Sequence, residues 1–395
     1  MRLTVEKIKQ SILHTDEEVR LTAVSYFADS FSLDPTAMPL VVQAVEKFGR
    51  DSSFSILRKG EHLVQSAPTL EWLINQLRQT YNIDDINDDN VRFAIALVIL
   101  AAPIDLLKSR KAEIDGLANF SDSLRGFLDQ RLQMMTWGLE QCWEALEVLG
   151  RNTMKRGEST LCESRYASQI IESVPNYLDE AGDLVLALLR KDCPGKDSHL
   201  MTWLEPEVVE LAGKMRLGAA VPILVRHLHS DDLLLADAAA TALSRIGTDA
   251  VVETIAGDWR EGSDDFRGGA ADVLEKIHTD LSVGKCLALL DEEEDMDTAL
   301  ILGHALLSHF SFDGIEPVRE LVLEVGDDLS SDHFDLRYHL VAATTIMGAQ
   351  FPEYEDWYEE ALETNWGWED YEHAWLADAF QPDPVGPMPS ENGHG

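Results

Sequence analysis

Basic residues are scarce in this chain: 32 Lys and Arg stand against 71 Asp and Glu, a formal net charge of −39 over 395 residues. Such a field repels phosphate backbones and disfavours direct nucleic-acid binding. It favours encounter with cations and basic proteins. Cysteine is also rare. Cys142, Cys162, Cys193 and Cys286 form no CxxC pair, and a chain this long with so few cysteines reads as a reduced, cytoplasmic protein. Long apolar runs are missing: the longest, FAIALVILAAPI from Phe93, falls short of the ~18 residues a membrane span needs and predicts a buried helix. The Met1–Gln10 segment mixes charge with short apolar residues, so it does not read as a signal peptide, and no membrane association is expected.

Catalytic signatures are absent as well. The chain contains no HExxH, no GxSxG and no His-Glu dipeptide. GKDSHLM from Gly195 has Gly-Lys without the upstream half of a phosphate loop, and DEEEDMDT from Asp291 lacks the glycine and acid placement of a calcium loop. His304 and His309, five apart, and His333 and His339, six apart, do not share a helix face, so each reads as a structural or solvated histidine. No cofactor, metal or catalytic residue is expected.

What the sequence does have is a period. DDLLLADAAATALSRIG and DDFRGGAADVLEKIH align so that Ala239, Ala240, Leu243 and Ile246 fall on Ala270, Ala271, Leu274 and Ile277, each pair 31 residues apart. Gly303 and Leu306 continue the register at 32, and Ala343 and Ile346 follow at 40, with a loop insertion around GDDLSSD. A second helical pattern precedes each of these, near Ala220, Ala250, Ser282 and Ile315. The unit is helix, short turn, helix, and periods in this range predict a solenoid. One helix pair cannot bury its apolar face alone, so each unit stacks on the next, and alanines fit where helices cross closely. Ala270, Val273, Leu274, Ile277 and Leu281 read as one apolar stripe, Gly218, Gly247 and Gly348 as left-handed helix ends, and Asp231 and Asp264 as N-terminal caps.

The N-terminal third repeats the grammar more faintly: acids, then Val19, Arg20 and Ala23; acids, then Val91, Arg92 and Ala96. This pattern resembles the second helix of HEAT repeats, and the 31-residue units resemble the short HEAT-like repeats of bilin lyases. The resemblance implies an all-α fold, an α-solenoid coiled as a right-handed superhelix of HEAT-like helix pairs, and a concave binding surface built from second helices. It implies little about activity, because one repeat architecture hosts many functions. The missing His-Glu pairs argue against a HEAT-type di-iron hydroxylase, and the charge argues against a HEAT-like DNA glycosylase. The expected organisation is an N-terminal HEAT-like array (1–150), an irregular helical connector (151–200), C-terminal HEAT-like repeats (201–350), an acidic aromatic-rich cap (351–380) and a disordered tail (381–395).

Charge and aromatics concentrate toward the end. After Lys285 the only basic residues are Arg319 and Arg337 against 26 acids, so the last 110 residues carry −24. The segment Phe351–Phe380 holds ten acids and no Lys or Arg, together with Trp357, Tyr358, Trp366, Trp368, Tyr371 and Trp375. Trp and Tyr are enriched at binding hot spots, and acids around them suit a basic protein or peptide. A capping role for the same aromatics is the competing structural reading. The sequence therefore points to a non-catalytic scaffold or adaptor with a basic partner. A bilin-lyase-like, tetrapyrrole-handling enzyme and an acidic nucleic-acid mimic that inhibits a DNA- or RNA-binding protein stay open as alternatives.

Overall fold

The computed structural model describes residues 1–79, 81, 85–156, 161–191, 198–325 and 336–363. Among these the chain forms twenty-two α-helices and no strand. Helices α1 (Val5–Ser11), α2 (Glu17–Ala28), α3 (Ala37–Phe48), α4 (Phe54–Arg58), α5 (Ala67–Leu77), α6 (Ile86–Leu100), α7 (Ile104–Asp115), α8 (Asp122–Met134) and α9 (Leu139–Arg156) come first. Then follow α10 (Leu161–Ser173), α11 (Leu178–Leu189) and α12 (Ser198–Trp203). The regular part comprises α13 (Glu205–Lys214), α14 (Val221–Leu228), α15 (Leu233–Ile246), α16 (Asp249–Asp258), α17 (Asp264–Lys276), α18 (Asp280–Glu292), α19 (Met296–Ser308), α20 (Ile315–Val325) and α21 (Leu336–Met347), and α22 (Tyr354–Glu363) closes the described chain.

The fold is an all-α solenoid. The odd-numbered helices α13, α15, α17, α19 and α21 form one row in which each packs on the next, and α14, α16 and α18 form a second row beside it. Small residues set the spacing within the first row. Ala239, Ala242, Ala270 and Ala271 are fully buried. A side-chain carbon added at Gly213 would stand 2.5 Å from Ala242 Cα, and one at Gly303 would stand 2.9 Å from Leu336 Cδ2. The helices approach until backbone meets backbone, which only Gly and Ala permit.

Local chemistry fixes where each helix starts and stops, one residue away from expectation in several places. Asp232 rather than Asp231 caps α15, its carboxylate accepting from Leu234 and Leu235 N–H. Ser263 caps α17, and Asp264 is that helix's first residue. Either side chain can accept a free backbone N–H, and the one whose backbone is extended takes the position. The stripe from Ala270 is split: α17 ends at Lys276, Thr279 caps a new helix by accepting from Ser282 N–H, and Leu281 lies on α18. Gly247 and Gly348 hold the left-handed conformation at helix ends, with φ of 59° and 66°. Gly218 instead opens a short 3-10 turn, and Arg216 supplies the left-handed residue after α13 at φ 50°.

Arginines brace the N-terminal units. Arg20 is fully buried, donates to the carbonyls of His14, Thr15 and Ser52, and lies 4.4 Å from the centre of the Phe48 ring. Arg92 donates to Asn119 O at 3.0 Å, and buried Arg131 donates to the carbonyls of Leu100 and Ala102 while pairing with Glu172. Each ties the turn of one unit to the next, satisfying backbone acceptors that burial would otherwise orphan.

Candidate interaction surfaces

The first structural surprise concerns α2. It crosses the odd-numbered row near the C-terminal ends of those helices. The Phe31 carbonyl accepts from Arg216 at 3.1 Å, and Arg245 lies 4.6 Å from the Phe31 ring centre. Tyr26 stacks on His278 at 3.9 Å and tilts against Phe310 at 5.7 Å. Helices α1 and α2 also pack on α21. Val19, Ala23, Val24, Phe27 and Ala28 of α2 are buried on more than one side, as a helix covered on both faces requires. Arg2 completes the seam: it donates to the His278 carbonyl at 2.7 Å, the His309 carbonyl at 3.3 Å and the Tyr26 hydroxyl at 3.2 Å. A cation at two helix ends is electrostatically favoured. The chain's own N-terminal helices therefore cover part of the surface that second helices were expected to offer a partner.

The opposite ends of the same row are open. Asp231 and Asp232 precede α15, Asp264 and Asp265 begin α17, and Glu294 and Asp297 flank the start of α19, all exposed. Apolar side chains stand among them: Leu233 is 71% exposed, Leu234 69% and Met296 39%. Successive units thus repeat an exposed pattern of acids, with uncovered apolar groups at two of the three helix starts.

Of the aromatic candidates, Trp357 and Tyr358 lie on α22 and are half-buried. Trp357 packs against Phe351 at 5.2 Å, and Tyr358 stacks on Tyr354 at 5.9 Å, whose hydroxyl reaches Thr345 of α21 at 2.7 Å. Burial, and then the nearby Asp16 carboxylate at the start of α2, push the Tyr358 hydroxyl pKa up. The two rings seat α22 on the last unit while Glu355, Asp356 and Glu359 face solvent. Trp366, Trp368, Tyr371 and Trp375 lie outside the described residues.

Histidines meet across units rather than within helices. His304 Nδ1 and His339 Nδ1 stand 2.9 Å apart, and His278 and His309 face edge-on with ring centres 5.4 Å apart. Burial holds His309 and His339 down to about 3, so both are neutral at ordinary pH. His278 and His309 are 31 residues apart, the repeat period, and so stand at equivalent places in successive units; the 35 residues between His304 and His339 differ from the local step of 40. Burial also raises three carboxyls, Glu18, Glu207 and Glu275, to about 7. Glu275 lies beside the α2 seam and accepts the Ser308 hydroxyl at 2.7 Å. Cys142 and Cys286 are buried free thiols, and burial pushes Cys286 up to about 12, away from nucleophilic chemistry. Among the described residues, no group of three or more His, Cys, Asp or Glu is placed to hold a metal ion. Among them too, no helix is long and apolar enough to cross a membrane.

No protein-family profile matches the chain, and no curated protein matches it. Among solved structures it is similar to a crystallised engineered protein at 16% identity, covering 88% of this chain and 99% of that one with a TM-score of 0.30.

Proposed function

We propose that this chain is a HEAT-like interaction scaffold that holds a basic, amphipathic protein segment along the open edge formed by the starts of α15, α17 and α19. One observation carries the reading: acids recur at that edge in three successive units, beside Leu233, Leu234 and Met296, which burial would favour covering. Lys or Arg side chains would meet the carboxylates, and an apolar face would cover the leucines and Met296. The excess of acids in the last third adds long-range attraction for such a partner and governs its on-rate. The exposed acids of α22 extend the negative surface, and the half-buried Trp357 and Tyr358 act mainly to seat that helix.

The test is fluorescence anisotropy with a labelled helical peptide of alternating Lys and Leu faces. Affinity should fall steeply with added salt. Replacing Asp231, Asp264, Asp265 and Asp297 together with Asn should weaken binding roughly tenfold or more, and Leu234→Ser should weaken it independently. Affinity that ignores both salt and the fourfold substitution refutes the reading.

A further inference from the structure

A pocket of about 280 Å³ opens where the N-terminal helices meet the C-terminal array. Phe31, Leu33 and Leu63 give it apolar lining, and Lys214, Arg216 and Arg245 line it beside them. In a chain with 32 basic residues against 71 acidic ones, three cations lining one pocket is a local reversal of the molecule's field. Two more stand close behind: Arg58 and Arg165 act, after His62, to hold the Glu61 carboxyl below its ordinary range against the upward push of burial. The acids present are Glu61, paired with His62 at 3.4 Å, and Glu210, which Lys214 contacts at 3.3 Å.

The cationic side chains are incompletely answered. Arg245 Nη1 is buried and has no hydrogen-bond partner, the nearest carboxylate being Glu210 at 3.9 Å. Among the described residues no carboxylate comes within ion-pair distance of Arg216, which donates to the Phe31 carbonyl at 3.1 Å. Arg216 is exposed and presents guanidinium N–H groups that a planar or tetrahedral oxyanion can answer with paired oxygens, while Arg245, its Nη1 closed off from solvent, adds positive charge behind it. The backbone is also held in unusual form here: Phe31 and Arg216 both adopt φ of 50°, which side-chain-bearing residues rarely do, and Phe31 is locked between two guanidinium groups. The volume falls just below the usual range for ligand pockets, about 300–1,000 Å³, so its occupant is small.

We propose that this pocket binds a small organic anion, a carboxylate or phosphate carried on a short apolar stem. The oxyanion bonds Arg216 within the positive field of Arg245 and Lys214, and the stem lies against Phe31, Leu33 and Leu63. This site is independent of the acidic edge and takes a ligand of opposite charge.

The experiment is isothermal titration calorimetry of the whole chain at low salt with hexyl phosphate, hexanoate, inorganic phosphate and, as a sign control, hexyltrimethylammonium. Saturable one-site binding of at least one hexyl anion, with none for the cation, is expected. Arg216→Gln should weaken it about 10- to 100-fold, the loss expected for a charge-assisted hydrogen bond, and Arg245→Gln should weaken it by less. Lys285→Gln, on the far side of the array, should leave affinity unchanged. Arg216 is exposed, so its variant keeps the fold even where Arg245→Gln does not. Cation binding as tight as anion binding, no saturable anion binding, or full affinity in Arg216→Gln overturns the proposal; equal affinity for inorganic phosphate overturns the role of the apolar wall.

Discussion

Replacing Gly213 with alanine tests the packing argument most sharply, because two opposing effects have known sizes. On an open helix surface Gly→Ala stabilises by up to about 1 kcal/mol. At Gly213 the new methyl would stand 2.5 Å from Ala242 Cα and 2.7 Å from Ala242 Cβ, where ordinary contact begins near 3.4 Å. The obstacle is partly backbone, so no rotamer change relieves it, and α13 and α15 must separate by about an ångström. Overpacking costs about 1–3 kcal/mol, and a clash against backbone belongs to the upper part of that range, about 2–3 kcal/mol; less a propensity gain of up to about 1 kcal/mol, the net loss should be about 1–2 kcal/mol. Gly284 on α18 is the control: it is exposed and has nothing within 4 Å of the added carbon, so Gly284→Ala should stabilise by about 0.5–1 kcal/mol. Urea unfolding followed by far-UV circular dichroism reads both. Hydrogen exchange across α13 and α15 localises the first effect, which matters because stacked arrays can unfold in steps. A Gly213→Ala chain as stable as its parent would refute the claim that backbone contact sets the spacing of the row.

Three further outcomes follow from buried polar groups. Glu275, raised by burial to about 7 from an ordinary 4.5, contributes stability that is complete below pH 4.5 and is lost as pH rises through 7; Glu275→Gln keeps the acceptor for Ser308 and should stabilise by on the order of 2 kcal/mol at pH 8 while changing little at pH 4.5, as thermal melts at the two values will show. His309 has the opposite sign: its folded value of about 3 lies below 6.5, so its contribution is present above pH 6.5 and is lost as pH falls toward 3. His309→Leu should flatten that acid limb in a melting-versus-pH series. Arg20→Met should cost about 3 kcal/mol or more in urea unfolding, because the carbonyls of His14, Thr15 and Ser52 lose their donor together.

The parts of this molecule legible in its sequence are those that repeat. Ala239 and Ala270 occupy the same place in consecutive units at a 31-residue offset, and both are fully buried where α15 packs on α17. Cap positions slipped by one residue because Asp231 and Asp232, or Ser263 and Asp264, carry interchangeable acceptors, and only backbone conformation chooses between them. Gly218 reads as the left-handed end of α13, yet the chain turns two residues earlier at Arg216. What could not be read at all depends on closure over long distances. Phe31 meets Arg216 across 185 residues, a pairing with no periodic trace. The small-anion pocket exists only because of that meeting, so its lining residues looked like scattered surface charges. The aromatic segment was half informative: Trp357 and Tyr358 show a seating role, and the four remaining candidates lie outside the described residues.

The seam at α2 has a consequence for how the protein is made. The strip that receives Phe31 includes Arg216, which leaves the ribosome 185 residues later, an interval of roughly 10–40 s at ordinary elongation rates. Throughout that delay Tyr26 lacks His278 and Phe310, while α1, α3 and α4 are already available to α2. The leading helices are thus expected to pack first among themselves and to close on the finished array late, and that closure should be the slower step because it joins residues 185 apart and more.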